Sequence, residues 1–196
     1  MLNENEFFNN LSFIKNRKFI LKLILIILII VFLSLTYSEF KKIIVIIFFL
    51  VINIIVALMK RLIIKRFIND FVKGIELIMF STIIISFAYG SKMGMLVGGL
   101  SMVINYIFEG RFSIYFVLTI PLYMIIGYLS WFFNQTDVVL YSIIVLIIYN
   151  LTNFILVSLI HGQLSQGMIK FTIANILFNF FLFNNFGQII LNLIKI

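Results

Sequence analysis

The chain has 196 residues and a net charge of +8, with 63% hydrophobic and only 11% charged residues. Because soluble domains carry about a quarter charged residues, this composition excludes an ordinary soluble protein and predicts a surface that mostly meets lipid. The absence of cysteine excludes disulfides and thiolate chemistry, and a single histidine argues against a histidine-rich metal site. We therefore predict no metal and no cofactor. The positive charges cluster at the ends of apolar runs, which indicates membrane orientation rather than nucleic-acid binding.

Apolar runs of about 20 residues, the length that crosses a bilayer, follow one another along the chain. They predict an all-α, polytopic transmembrane bundle of six to seven spans, built as a single integral membrane domain over 1–196. Asn184, Asn185 and Gly187 predict a break in the last run, followed by an interfacial tail over 188–196. The candidate spans are 19–38, 43–60, 74–90, 92–109, 114–133, 138–160 and 168–194.

Lysine and arginine are distributed unevenly between the two sides of this predicted bundle. When the N-terminus is cytoplasmic, only Lys41, Lys42, Lys92 and Lys195 of the 15 basic residues lie outside. Cytoplasmic loops carry the excess of basic residues, so we predict a cytoplasmic N-terminus and a multi-pass protein of the cell membrane. Within it, 19–60 is predicted to form an N-terminal helical hairpin and 74–196 a core bundle.

The segment 60–73 joins the predicted hairpin to the core bundle. Its basic residues Lys60, Arg61, Lys65 and Arg66 alternate with apolar residues. This pattern is typical of a basic amphipathic helix that lies on the cytoplasmic leaflet. The segment either fixes the topology as a charged loop or docks a partner, and the pattern alone leaves both interpretations open.

One face of the helix predicted over 92–109 is made of small and polar residues. At about 100° per residue, this face consists of Gly90, Gly94, Gly98, Ser101, Asn105 and Glu109. The three glycines form two overlapping G-x-x-x-G spacings, which predict a close helix approach, either inside the bundle or against a docking partner. The polar end of the face, with Arg111 and Tyr115 nearby, either caps the helix at the interface or forms the rim of a pocket.

Two later helices also carry polar faces that must point inward, because amides in lipid need partners. The sixth candidate span contributes Asn150, Asn153 and His161, and the last contributes Thr172, Asn175 and Asn179. Such groups either bond to one another or line a solute-binding pocket. The predicted pocket collects Asn105, Glu109, Arg111, Tyr115, Asn150, Asn153, His161, Asn175 and Asn179.

Motifs of catalysis are missing from the sequence. There is no nucleophile beside a base, no H-E-x-x-H spacing and no glycine-rich phosphate loop. We therefore predict that the protein is not an enzyme. Glu76 begins the third candidate span, where a carboxylate complements the helix dipole, and we interpret it as mostly structural.

Residues 76–128 resemble the substrate-binding (S) components of energy-coupling factor (ECF) transporters, especially the archaeal type. The resemblance rests on ELIMFSTIIISFAYGSKMGMLVGGLSMVINYIFEGRFSIY and PLYMIIGY, and the closing ANILFNFFLFNNFG looks like the family's final helix. It implies a subunit that binds a vitamin-like small molecule or a metal as its transported solute. It also implies a separate transmembrane coupling protein, which would contact the glycine face, and two cytoplasmic ATPases.

The alternative interpretation is a structural or scaffold membrane protein, similar to the small rod-shape-determining membrane proteins. Such a protein would recruit partners with the same helix faces and bind no solute. The core distinguishes the two interpretations. A tight inward pocket lined by the polar residues favours solute binding, whereas a solid core in which the amides bond to one another favours the scaffold.

Overall fold

The computed structural model describes residues 17–66, 70–110, 116–161 and 166–195, and within these ranges the chain is helical with no strand. A 3₁₀ turn at Trp131–Phe133 and a π-helical turn at Phe183–Gly187 complete the order of elements. The helices are α1 (Arg17–Thr36), α2 (Ser38–Arg66), α3 (Asp70–Lys73), α4 (Ile78–Tyr89), α5 (Ser91–Glu109), α6 (Phe116–Ser130), α7 (Val138–His161), α8 (Gln166–Leu182) and α9 (Gln188–Ile194).

Six stretches of the described chain are helical, long enough and apolar enough to cross a membrane. The shortest has 18 residues, and at 1.5 Å per residue it covers roughly 27 Å, close to the thickness of the hydrocarbon core. The all-α, multi-pass membrane fold is thereby confirmed. The six are Ser38–Ile63, Phe71–Tyr89, Ser91–Glu109, Phe116–Phe133, Val138–Leu159 and Gln166–Ile194, and α1 holds a shorter apolar stretch, Lys22–Phe32.

The chain divides into two compact units, Met1–Ile44 and Val45–Ile196, so the boundary falls inside α2. In the first unit, every side chain from Lys22 to Phe32 is exposed, as expected of a helix that is apolar all round and faces lipid. At the start of α2, Lys42 donates to Glu39 one turn earlier, an exposed pair of little energetic weight.

The second unit is built around α4. Every residue from Ile78 to Phe87 is buried, which fits a helix whose sequence is apolar on all sides. Its few hydroxyl groups bond to backbone carbonyls: Thr82 Oγ1 donates to the Ile78 oxygen at 2.7 Å, and Ser86 Oγ donates to the Gly127 oxygen on α6 at 2.6 Å. The central helix therefore leaves no hydroxyl group exposed to lipid.

Glycines bring α5 and α6 into backbone contact. A Cβ atom added to Gly94 would lie 2.6 Å from the Gly127 carbonyl oxygen, and one added to Gly98 would lie 2.5 Å from that of Tyr123. The close approach predicted from the G-x-x-x-G spacing thus occurs inside this chain. Packing inside the chain therefore explains Gly94 and Gly98. Helix α6 covers these two positions, which we had also considered as a docking surface for a partner. Gly90 instead makes the turn between α4 and α5, at φ +102°.

The segment 60–73 does not form the separate amphipathic helix that we predicted. Residues 60–66 continue α2, residues 67–69 lie outside the described chain, and α3 is a single turn from Asp70 to Lys73. Lys60, one of the basic residues of the predicted pattern, does not face the leaflet. It is buried, with 3% of its side chain exposed, and forms an ion pair with Glu109.

The last membrane span does not break at Asn184 and Asn185. The π-helical turn at Phe183–Gly187 carries the helix through this point into α9, and such a turn re-aims the residues that follow it. Leu191 and Ile194 are consequently buried. The Tyr89 hydroxyl donates to the Ile194 carbonyl oxygen at 3.1 Å, so 188–194 packs on α4 instead of forming an interfacial tail.

Candidate functional site

A buried carboxylate, Glu76, lies just before α4. Two residues before it, the backbone at Gly74 lies against α8. A Cβ atom added to Gly74 would lie 2.9 Å from both the Ala174 Cβ and the Asn175 nitrogen. Only a glycine lets the backbone run this close to another helix. The close approach of residues 74–77 to α8 therefore brings Glu76 into the interior, where 3% of it is exposed.

Hydrogen bonds from two other helices reach this carboxylate, and a third helix is linked to it through Asn175. The Tyr123 hydroxyl on α6 donates to Glu76 Oε1. Asn175 Nδ2 on α8 donates to the same oxygen at 3.1 Å and to the Gly74 carbonyl at 3.2 Å. Asn150 Nδ2 on α7 in turn donates to Asn175 Oδ1 at 3.1 Å. We call Glu76, Tyr123, Asn150 and Asn175 the Glu76 network; it ties together α4, α6, α7 and α8.

An ion pair between Lys60 and Glu109 joins α2 to the end of α5. Their side chains are 3% and 9% exposed, so the pair is largely removed from solvent. Both charges act on Glu76: the Lys60 ammonium attracts its carboxylate and the Glu109 carboxylate repels it. The ion pair and the Glu76 network therefore share one electrostatic environment.

Two smaller polar contacts join further helices. Asn53 Nδ2 on α2 donates to the Ser81 and Ser101 hydroxyls, each at 3.1 Å. The Tyr106 and Thr119 hydroxyls lie 2.9 Å apart and link α5 to α6. Interhelical hydrogen bonds in membrane proteins contribute about 0.6 kcal/mol each on average. The main effect of these two contacts is to determine which helices are neighbours.

Several buried oxygen atoms have no hydrogen-bond partner among the described residues. Such atoms are few in native proteins, and each needs a physical explanation. In and beside the Glu76 network they are Asn150 Oδ1, Asn179 Oδ1 and Thr172 Oγ1, and Asn53 Oδ1 is a further example on α2.

The structure brings some of the predicted pocket residues together and separates others. Asn150 and Asn175 are bonded, and Asn179 lies one turn further along α8, where its amide donates to the Asn175 carbonyl at 3.0 Å. Glu109 pairs with Lys60 instead, Asn105 is buried on α5, and Asn153 is half-buried. Arg111, Tyr115 and the side chain of His161 lie outside the described part of the chain.

Sequence reasoning missed Glu76, Lys60 and Tyr123 as members of the polar core. Glu76 had a visible signal, since it is the only carboxylate in the span Phe71–Tyr89. Lys60 lies within Ser38–Ile63 and was assigned to the cytoplasmic leaflet with its basic neighbours. Tyr123 had no signal of its own, because a tyrosine in a membrane helix is as typical of packing as of hydrogen bonding.

Two cavities of the described chain are lined mainly by apolar side chains, and the first borders the Glu76 network at Tyr149, whose ring centroid lies 5.0 Å from that of Tyr123. A groove of about 380 Å³ opens between α6 and α7 and is lined mainly by apolar side chains, among them Leu122, Ile126, Leu140 and Ile144. A second cavity of about 370 Å³ lies beside Met95 and Pro121. Neither contains any residue of the predicted pocket. In the part of the chain that the structure describes, no three histidine or acidic residues are grouped as a metal centre.

Comparison of the chain with protein-family models, with curated proteins and with solved structures finds no match. The interpretation of its function therefore rests on the residues and contacts described above.

Proposed function

We propose that this protein is a non-enzymatic scaffold of the cell membrane, a multi-pass protein that recruits partner proteins. One observation carries the proposal: of the amides predicted to line a solute pocket, Asn150 donates to Asn175, Asn175 donates to Glu76 and Asn179 donates to the Asn175 backbone carbonyl. The donors of these amides are bonded within the core, and the bonds between Asn150, Asn175 and Glu76 hold the helices in place. This is the arrangement that favours a scaffold over a solute-binding subunit.

The cytoplasmic end of α2 is the surface that we assign to a partner. Lys60 turns inward, whereas Arg61, Leu62 and Ile63 are exposed. An exposed cation beside exposed apolar side chains suits the acidic and apolar surface of a cytoplasmic or membrane partner. The predicted N-in orientation, which follows from the distribution of basic residues, puts this surface on the cytoplasmic side.

The scaffold proposal is tested by purifying the protein in native-lipid nanodiscs after chemical crosslinking. We expect crosslinked partner proteins and no specific small molecule in the mass spectrum after denaturation. An Arg61→Glu, Leu62→Asp double variant should lose the partners at unchanged expression. Lys92→Glu, at the opposite end of the bundle, is the matched control and should keep them. Equal partner recovery from both variants would contradict the assigned surface.

Solute binding as an ECF-type S component is the second candidate function. It is favoured by three buried oxygens that lack a partner in the part of the chain that the structure describes, Asn150 Oδ1, Asn179 Oδ1 and Thr172 Oγ1, which a vitamin-like solute or a metal could contact. It would require a coupling protein and ATPases. The same purification distinguishes it: release of one small molecule, its loss in Asn179→Leu, and copurified ATPases would replace the scaffold proposal.

A further inference from the structure

The membrane span that carries Glu76 is interrupted. The stretch Phe71–Tyr89 has the length and hydropathy of one span, yet α3 ends at Lys73 and α4 begins at Ile78. Non-helical backbone at membrane depth is tolerated only where protein buries it or where it lines a cavity. Here Gly74 and Glu76 are buried. Interrupted membrane helices are places where proteins bind small cations, because oxygen atoms there are released from the helical pattern.

The buried charges around this interruption do not balance. Lys60 is paired with Glu109, and the hydrogen bonds to the Glu76 carboxylate come from neutral donors, Tyr123 and Asn175. When Glu76 is ionised, the three side chains together carry one negative charge. A buried charge without compensation costs several kcal/mol, so the ionised network needs one further positive charge.

The Glu76 network also contains an oxygen atom that needs a partner. Asn150 is 2% exposed, and its amide group belongs to the network, because its nitrogen donates to Asn175 as well as to the Leu146 carbonyl one turn earlier. Within the described chain its Oδ1 atom has no hydrogen-bond partner, and neither has Oδ1 of the fully buried Asn179 one turn along α8. A proton on Glu76 would cancel the charge and leave these oxygens as they are. A metal cation would meet both needs, because hard cations take carboxylate and amide oxygens as ligands.

We propose that the Glu76 network binds one alkali metal cation, sodium or potassium, with the Glu76 carboxylate and the Asn150 amide oxygen as ligands. The bound cation brings the buried charge of the three ionised side chains to zero. It binds the folded protein alone, since the ligands come from residues far apart in the sequence. The site is independent of the partner surface on α2, so either proposal stands if the other fails.

The cation site is tested by the melting temperature of the purified protein in phosphatidylcholine nanodiscs, followed by circular dichroism. Sodium, potassium and choline chlorides are compared at equal ionic strength and pH. We expect a saturable rise of roughly 5–10 °C in sodium or potassium over choline at a hundredfold excess above Kd. The salt that acts at the lower concentration identifies the ion. The same melting temperature in all three salts would overturn the proposal.

Variants locate the site. Glu76→Gln removes the charge and should abolish the response to sodium and potassium, and Asn150→Leu should weaken it. Asn53→Ala is the matched control, because Asn53 is also buried and its Oδ1 also lacks a partner among the described residues, while its amide nitrogen donates to two serines. The response of this variant should equal that of the unaltered protein. An undiminished response in Glu76→Gln would overturn the site.

Two further outcomes are decisive. If Glu76→Gln does not fold, equilibrium dialysis replaces the melting experiment. It measures the binding of radioactive sodium and potassium ions to the unaltered protein and to Asn150→Leu. One bound ion per chain, with weaker binding by the variant, supports the site, and no bound ion overturns it. A stability that follows pH without responding to either salt assigns a proton to Glu76 and also overturns the proposal.

Discussion

At the scale of single residues, the polar core depends on contacts between side chains that are remote in sequence. Asn175 and Glu76 are 99 positions apart, and Asn150 donates to Asn175 from a third helix. The sequence was sufficient to predict that Asn150, Asn175 and Asn179 point inward, because an amide in lipid needs a partner. It did not reveal that Glu76 is the group they surround. That depends on which helices are neighbours, and no local pattern encodes it.

Tyr123→Phe tests the hydroxyl that donates to Glu76. Hydrogen bonds to charged groups contribute about 1.5–3 kcal/mol, so we expect a loss of stability of that size, seen as a lower melting temperature in detergent micelles. Tyr89→Phe is the control: it removes a bond to the neutral, partly buried Ile194 carbonyl and should lose about 0.5–1.5 kcal/mol. A loss in Tyr123→Phe no greater than that of the control would contradict a hydrogen bond from Tyr123 to a charged carboxylate.

At the scale of helices, the sequence predicted the positions of the spans well and their interruptions poorly. Hydrophobic length fixes the existence of a span, since each must cover the same thickness of lipid. The interruption at 74–77 and the continuity at 183–187 are determined by tertiary contacts. Gly74 must approach α8, whereas Leu191 and Ile194 gain a buried position only when the π-helical turn keeps the helix intact.

Gly127→Ala tests the contact between α5 and α6. The added Cβ would lie 2.7 Å from the Met95 nitrogen, a distance that backbone atoms cannot relieve by rotating. Overpacking typically destabilises by about 1–3 kcal/mol, and we expect a melting temperature lowered accordingly. Gly187→Ala is the matched control, since its Cβ would meet nothing closer than 3.4 Å. In Gly187→Ala the gain in helix propensity of about 1 kcal/mol should leave the stability equal or higher. An equal loss of stability in both variants would contradict the packing argument.

At the scale of the whole molecule, the orientation in the membrane is the prediction with the widest consequences. The cysteine-free sequence makes it directly testable with single-cysteine variants. Lys92→Cys, in the first turn of α5, should react in intact cells with a maleimide that does not cross membranes. Lys170→Cys on α8 should react only after the cells are opened. Both side chains are exposed, so burial does not decide the result, and the reverse pattern of labelling would show the opposite orientation.

The Glu76 network also constrains the order in which the protein is assembled during synthesis. Ribosomes deliver α2 with Lys60 before α5 with Glu109, and α4 with its carboxylate before Tyr123, Asn150 and Asn175 exist. Until the later helices are made, the charged side chains of the early helices must therefore lie near the lipid headgroups or beside the insertion machinery. Because Asn175 belongs to the last span, the polar core closes only when translation is nearly complete. A nascent chain that stalls before α8 would expose a carboxylate inside the bilayer, a signal that membrane quality control can detect.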